Sequence, residues 1–144
     1  MASARETILL NLYAALILQF RGTLVDLRRN EVLPTKIAPA GLVIFRDGDP
    51  GEPEHSFSPL RYHYEHRAQI EVFVQAGSGR EALFDSLCQS IGAAVVADRT
   101  LAGLCDWVEA EAPEPDDTPV EGAPAYRAAI IGVRLHYAVS DPLI

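Results

Sequence analysis

Histidine supplies the residue pattern in this chain that comes nearest to a reactive or metal-binding group. His63 and His66 form an HxxH pair, and His136 follows much later in the sequence. On a helix the two residues of such a pair share one face and can bind a metal ion, whereas on a strand residues three apart point to opposite faces. The residues around this pair alternate between apolar and polar, as in a strand, so we expect no metal site here. His136 would lie near His63 only if their two strands pair.

The remaining chemistry-bearing residues form no recognisable catalytic set. The sequence has no motif for nucleotide binding, for a hydrolase nucleophile or for a zinc protease. Cys88 and Cys105 are too few for a disulfide framework and form no CxxC pair, so we expect buried thiols in a reducing compartment. We therefore expect neither enzymatic activity nor a cofactor. The alternative is a small cytoplasmic enzyme or ligand-binding domain with a pocket between helices and sheet, whose first candidate residues are His63, His136 and Asp106.

Charge excludes some classes of partner. The 144 residues include 20 acidic and 12 basic side chains, which gives a formal net charge of −8. This balance disfavours binding to nucleic-acid backbones and to anionic membranes. The apolar run from Ile8 to Phe20 is too short for a membrane span, which needs roughly 20 residues. Most arginines precede residue 98, and the part that follows is mainly acidic. Opposite charge on two edges would suit a head-to-tail ring, whereas scattered, solvated charge is the alternative explanation.

Two segments have the period of amphipathic helices. Residues 4–20 place apolar side chains at helical spacing, and Ser3 with Glu6 forms a capping-box pattern at their start. The apolar stripe of this helix is wide, so we expect it to be covered on more than one side. Residues 79–97 form the second helix, for which Ser78 is the expected cap.

Alternating apolar and polar residues predict the strands. The clearest strand covers residues 61–76, with one polar face and a bend or bulge near His66. Further strands are expected at residues 42–45, 104–112 and 125–139.

The connections are marked by turn residues. Residues around Val25 and Leu27 belong to a short strand or to a loop. The stretch 46–53 is dense in Asp, Gly and Pro and predicts a hairpin turn or an exposed loop. The acidic, proline-rich stretch 113–124 predicts a loop.

These elements predict one α+β domain that covers residues 1–144. Their expected order is α-β-β-α-β-β. Two helices with one apolar stripe each can cover one face of a mostly antiparallel sheet of four or five strands, which makes a two-layer sandwich.

The pattern resembles a known family. An N-terminal helix, an extended segment at 33–39 and four further strings carry the likeness, and these strings occupy residues 42–48, 62–72, 98–109 and 128–137. In their order and content they resemble the small tail-terminator and tail-completion proteins of long-tailed bacteriophages and prophages, the class of the lambda tail terminator.

This resemblance implies a function without catalysis. The family forms a ring, a hexamer, at the end of the tail tube, where it halts tube polymerisation and offers a surface to head–tail connector proteins. The partners implied are therefore other copies of the chain, the tail tube protein and the connector proteins, with no direct contact to nucleic acid or membrane. The implied location is the bacterial cytoplasm during assembly, and the virion tail if the prophage is active.

The family has no universal active-site motif that could be transferred to this chain. We hypothesise instead that two charged segments contact neighbouring subunits, because turn residues and charge predict their exposure. The proposed contact residues are Arg28, Arg29, Lys36, Arg46, Asp47, Asp49 and Glu52.

Overall fold

The structure is a computed structural model that describes residues 1–116 and 126–144. The predicted loop at 113–124 lies outside the described residues from position 117 onward, as does the predicted start of the last strand at 125. The elements of the described part are α1 (Ala4–Gln19), β1 (Asp26–Arg29), β2 (Leu42–Asp49), β3 (Glu54–Ser56), β4 (Arg61–Val74), α2 (Arg80–Ala97), β5 (Trp107–Ala110), β6 (Glu114–Pro115) and β7 (Arg127–Val139).

The predicted α+β class with two helices is confirmed, but the predicted strand count and order are wrong. The described residues form one mixed sheet of seven strands, with the path β1-β2-β4-β7-β5, in which β3 also pairs with β4 and β6 also pairs with β7. β1, four residues long, forms where the sequence allowed a short strand or a loop. The missed strands, β3 and β6, are three and two residues long, too short for alternation to be recognised. One of them, β6, lies within the predicted loop, and β2 extends to Asp49, into the predicted turn.

The first two strands are parallel, which the sequence did not predict. Asp26 pairs with Leu42 and Arg29 with Phe45, so the connection between β1 and β2 must cross from one end of the sheet to the other. Ile37 in that connection packs against Leu42 and Ile44 in a small apolar cluster of its own. Alternation along β2 places this cluster on the face opposite the main core.

The two long strands form the centre of the sheet. β4 and β7 are antiparallel and pair without interruption from Tyr62–Val139 to Val74–Arg127. Alternate β4 residues are buried against the helices, as the period of two predicted. The predicted bulge near His66 is not in β4. The irregularity lies in β2 instead, between Arg46 and Asp49, where one extra residue opposes β4.

The helix starts differ in how they are capped. The Ser3 hydroxyl accepts the Glu6 backbone N–H at 3.2 Å, as the capping-box pattern predicted. The prediction that Ser78 caps α2 is wrong, because the helix begins one residue later and the cap position falls on Gly79, in a left-handed conformation. Within the described residues, neither helix has the length and apolarity to cross a membrane.

The expectation that α1 is covered on more than one side is wrong. The helix buries a single stripe that includes Leu12 and Leu16. Leu10, Ile17 and Leu18 remain exposed, because the sheet and α2 meet only one side of the helix in the described part of the chain.

The bulge in β2 depends on a glycine. Gly48 has φ of +72°, and a Cβ there would overlap the carbonyl oxygen of Arg67 on β4. Gly51 has the same φ of +72°, but a Cβ there would meet nothing within 4 Å.

We predict that Gly48→Ala lowers the free energy of unfolding by about 3 kcal/mol or more, because it adds a backbone clash to left-handed strain. Gly51→Ala is the matched control and should cost about 1–2 kcal/mol, from strain alone. Urea unfolding of both variants measures the difference. Equal losses would contradict the role assigned to the bulge.

Candidate functional site

The hypothesised contact residues lie on the two strands at one edge of the sheet and on the connections that follow them. Several already have partners inside the chain. Arg28 pairs with Asp26 at 3.0 Å, and Arg46 pairs with Glu71 across β2 and β4 at 2.7 Å. The Asp49 carboxylate accepts the backbone N–H of Gly51.

Lys36 and Glu52 are the members of this group best placed to meet another molecule. Both are exposed, and neither has an ion-pair partner in residues 1–116 and 126–144. Lys36 lies in the connection that follows the edge strand β1, and Glu52 lies in the connection that follows the neighbouring strand β2. Their charges are therefore available for an ion pair with another molecule.

Arg29 forms a charged clamp between α1, β1 and β2. Its guanidinium makes two bonds to each of two carboxylates, at 2.9 Å for both Glu6 oxygens and at 2.8 and 3.0 Å for those of Asp47. Its side chain is 17% exposed. Hydrogen bonds from Glu6 and then Asp47 raise the pKa of Arg29, so its charge is fixed. The planar fork of arginine suits this double bidentate arrangement.

His66 is buried at the same corner, 1% exposed. Its Nε2 lies 2.5 Å from the carbonyl oxygen of Asp47, which can only accept, so Nε2 carries the proton. Burial lowers the pKa of His66 and keeps the ring neutral, so Nδ1 accepts from the Tyr137 hydroxyl at 2.9 Å. Burial also raises the pKa of Tyr137 to about 12. The ring therefore fastens the β2 bulge to β4 and β7.

His63 and His136 are brought together on the other face of the sheet. His63 is exposed while His66 is buried, so the prediction that the HxxH pair divides between two faces is confirmed. Pairing of β4 with β7 sets Glu65 opposite His136 and so places His63 diagonally to it. An open cleft of about 230 Å³ lies there, lined by Glu52, Glu54, His63, Tyr64, Glu65 and His136.

This histidine cleft differs from the alternative hypothesis in two respects. It lies on the polar face of the sheet and not between the helices and the sheet. Asp106 is not among its lining residues, and its backbone N–H, just before β5, donates to the His136 carbonyl at 2.7 Å. The His63 ring has Ser56 as a partner, with 2.8 Å between Nε2 and Oγ. No group of three or more metal-binding side chains occurs in the part of the chain that the structure describes.

Arg99 and the two cysteines contribute to the packing of the fold. Arg99 donates to the Val108 carbonyl at 2.9 Å and lies 4.7 Å above the Trp107 ring, which holds the turn before β5 against the edge strand. Cys105 is buried and Cys88 is half-buried. Burial raises the pKa of both, to about 11 for Cys105, so both are protonated near neutral pH.

The turn between β3 and β4 is a feature that the sequence did not reveal. Phe57 and Leu60 are 76% and 42% exposed there, and we name residues 57–60 the hairpin tip. The His55 ring stacks on Phe57 with 6.4 Å between centroids and meets Tyr62 edge-on at 4.9 Å. Residues 54–60 contain two large apolar side chains, Phe57 and Leu60. Two such residues form no period from which this arrangement could be inferred.

A second unpredicted feature is a cleft of about 510 Å³ between α1 and the start of β1. We name it the α1–β1 groove, and it is lined by Tyr13, Ile17, Phe20, Arg21, Val25, Asp26 and Leu27. Its lining is mainly apolar, although it opens to solvent. The α1 residues that line it, Tyr13, Ile17 and Phe20, belong to the helical stripe, whereas Leu10 and Leu18, which made that stripe wide, lie outside the groove.

Comparisons with known proteins add no relative. No protein-family model matches the chain, and a search of curated proteins gives no match.

We predict that Arg29→Ala lowers the free energy of unfolding by about 1–3 kcal/mol, because it leaves the carboxylates of Glu6 and Asp47 facing each other without a cation. Arg28→Ala, on the same strand, removes a local and more exposed pair and should cost much less. Chemical denaturation measures the loss of unfolding free energy in both variants. Equal losses would contradict the stabilising role assigned to the Arg29 clamp.

Protonation of His66 should destabilise the fold. Its pKa is lowered in the folded chain, so the unfolded chain binds more protons as the pH falls below about 6.5, and stability is lost in that direction. One such group changes the free energy of unfolding by at most about 1.4 kcal/mol per pH unit.

We expect His66→Gln to flatten the decrease in stability between pH 7 and pH 5, whereas His63→Gln, at an exposed histidine of the same strand, should leave the slope unchanged. Urea unfolding at several pH values gives the slopes. A wild-type slope in His66→Gln would refute the assignment.

Proposed function

We propose that this chain is a non-enzymatic assembly subunit of a phage or prophage tail. Copies of the chain join in a ring that caps the tail tube, stops its polymerisation and presents a surface for head–tail joining. The resemblance to tail terminators implies a ring of six copies and implies the tube protein and the connector proteins as partners. Assembly takes place in the bacterial cytoplasm, and the ring becomes part of the virion tail if the prophage is active.

One observation carries this proposal. Large apolar side chains are exposed at several places in the described residues, among them Phe57 and Leu60 on the hairpin tip and Ile17 on the wall of the α1–β1 groove. Apolar surface that folding leaves exposed, with polar groups around it, is typical of sites of protein contact. A subunit that contacts a neighbour on each side needs two such places. Charged groups without an ion-pair partner among the described residues, such as Lys36 and Glu52, suit the rim of these contacts.

A second candidate function is favoured by the histidine cleft. His63 and His136 line it together with three glutamates, and although no three of its described side chains form a metal site, two imidazoles at one cleft could share a zinc ion or bind a small ligand. Titration with zinc, monitored by calorimetry, tests this alternative. Micromolar binding that His63→Ala and His136→Ala both abolish would favour a binding module over an assembly subunit.

The direct test of self-assembly is the absolute mass of the protein by light scattering, followed by negative-stain imaging. We predict ring-sized particles whose population falls as salt screens the rim charges. Lys36→Glu should shift the distribution to smaller species. Asp85→Lys, a charge reversal at an exposed position of α2, is the control and should not. A monomer at every concentration and salt, alone and with tube protein present, would contradict the proposal.

A further inference from the structure

We propose that the hairpin tip of one copy inserts into the α1–β1 groove of the next copy, and that this contact joins neighbours in the ring. The inference rests on the proposed function and names the two surfaces that carry it. Both surfaces belong to this chain, so a second copy supplies everything that the contact needs.

The hairpin tip has the properties of an inserted element. Phe57 and Leu60 project from the turn that connects β3 to β4, and β3 is held by three residue pairs to β4. His55 packs against Phe57 and Tyr62, which supports the exposed ring from below. Arg61 donates to the Ala138 carbonyl on β7 at 3.2 Å and anchors the start of β4. An apolar, well-supported aromatic side chain loses little conformational entropy when it is buried in a partner.

The α1–β1 groove has the properties of a receiving site. It is a wide, open depression of about 510 Å³, large enough for a compact apolar side chain to lie against its wall. Ile17 on its wall is 45% exposed, and Leu24 beside it is exposed as well. Tyr13 and Phe20 extend the apolar wall along the helix. A phenyl ring placed there would cover surface that folding leaves in contact with water.

The two surfaces cannot meet within one chain. The groove lies at the end of the sheet where β4 ends. Asp26 at the groove pairs with Leu42, and Leu42 pairs with Phe73 near the end of β4. The hairpin tip lies just before Arg61, at the start of β4. Arg61 and Phe73 are twelve residues apart along β4, so the hairpin tip and the groove are separated by about 40 Å along the strand. The tip of one copy can therefore reach only the groove of another, which is a head-to-tail contact of the kind that closes into rings.

Charge favours the same arrangement. Glu52 and Glu54 precede the hairpin tip, and neither has an ion-pair partner among the described residues. Arg21 lines the groove and is exposed, and it likewise has no ion pair in the described part of the chain. Asp26, the acidic residue of the groove, is already neutralised by Arg28 at 3.0 Å. The groove thus presents a free positive charge to a tip that carries free negative charges.

Complementation between two variants tests this contact. Phe57→Ser removes the tip and leaves the groove, whereas Ile17→Glu blocks the groove and leaves the tip. Each variant alone should associate at least about tenfold more weakly than the wild type, since a buried aromatic anchor commonly dominates an interface. Mixed together, they should form a dimer and no larger particle, because one intact tip and one intact groove remain. Native mass spectrometry distinguishes these species.

A matched control excludes a general loss of fold or solubility. Val96→Glu alters an exposed apolar residue on α2 that belongs to neither surface and should leave association unchanged. Charge reversal provides a second test at exposed positions. Arg21→Glu and Glu54→Arg should each weaken association by about two- to fivefold, and the double variant should recover most of the loss.

The outcomes separate this inference from the proposed function. Rings that form normally in Phe57→Ser would overturn the hairpin contact and leave ring assembly standing. A wild-type chain that stays monomeric, alone and with tube protein, would overturn both. Normal rings from Phe57→Ser that no longer bind tail tubes would assign the hairpin tip to the tube protein, which also overturns the inference.

Discussion

The antiparallel ladder between β4 and β7 is the constraint on which the rest of the structure depends. Its thirteen residue pairs fix which side chains face the helices and which face away. A slip of one residue would exchange the two faces, so that Ile70 and Val72 would leave the core and Glu71 would enter it. Both helices cover the apolar face, whereas the opposite face carries the histidine cleft and the small apolar cluster against which Ile37 packs. The hairpin tip projects because β4 begins with residues that pair with β3 and not with β2.

Asp47 connects this ladder to the edge of the sheet. Its carboxylate binds Arg29, which also binds Glu6 on α1. Its backbone carbonyl accepts a hydrogen bond from the Nε2–H group of His66. These bonds meet at the β2 bulge, next to Gly48. Charges that the sequence marks as candidates for intermolecular contact therefore divide into two groups. Arg29 and Asp47 hold the fold together, and Lys36 and Glu52 remain available to a neighbour.

Long periodic segments could be predicted from the sequence, and short or non-local features could not. Both helices and the two long strands extend over thirteen residues or more, enough for a period to be recognised. The opposite faces of His63 and His66 followed from that period. Strand β1 has four residues, its parallel pairing depends on a crossover, and Arg29 binds carboxylates 18 and 23 positions away. The α1–β1 groove was missed because the sequence indicates an apolar stripe without showing what covers it.

The central claim is that this chain ends a polymer, and tube length tests it most directly. Tail tube protein is assembled with and without the chain, and electron microscopy measures the lengths and the ends of the tubes. The account predicts that added chain stops growth and leaves a ring-shaped cap at one end, and that Phe57→Ser leaves growth unchecked. Tubes that elongate equally with and without the wild-type chain, and carry no cap, would contradict it.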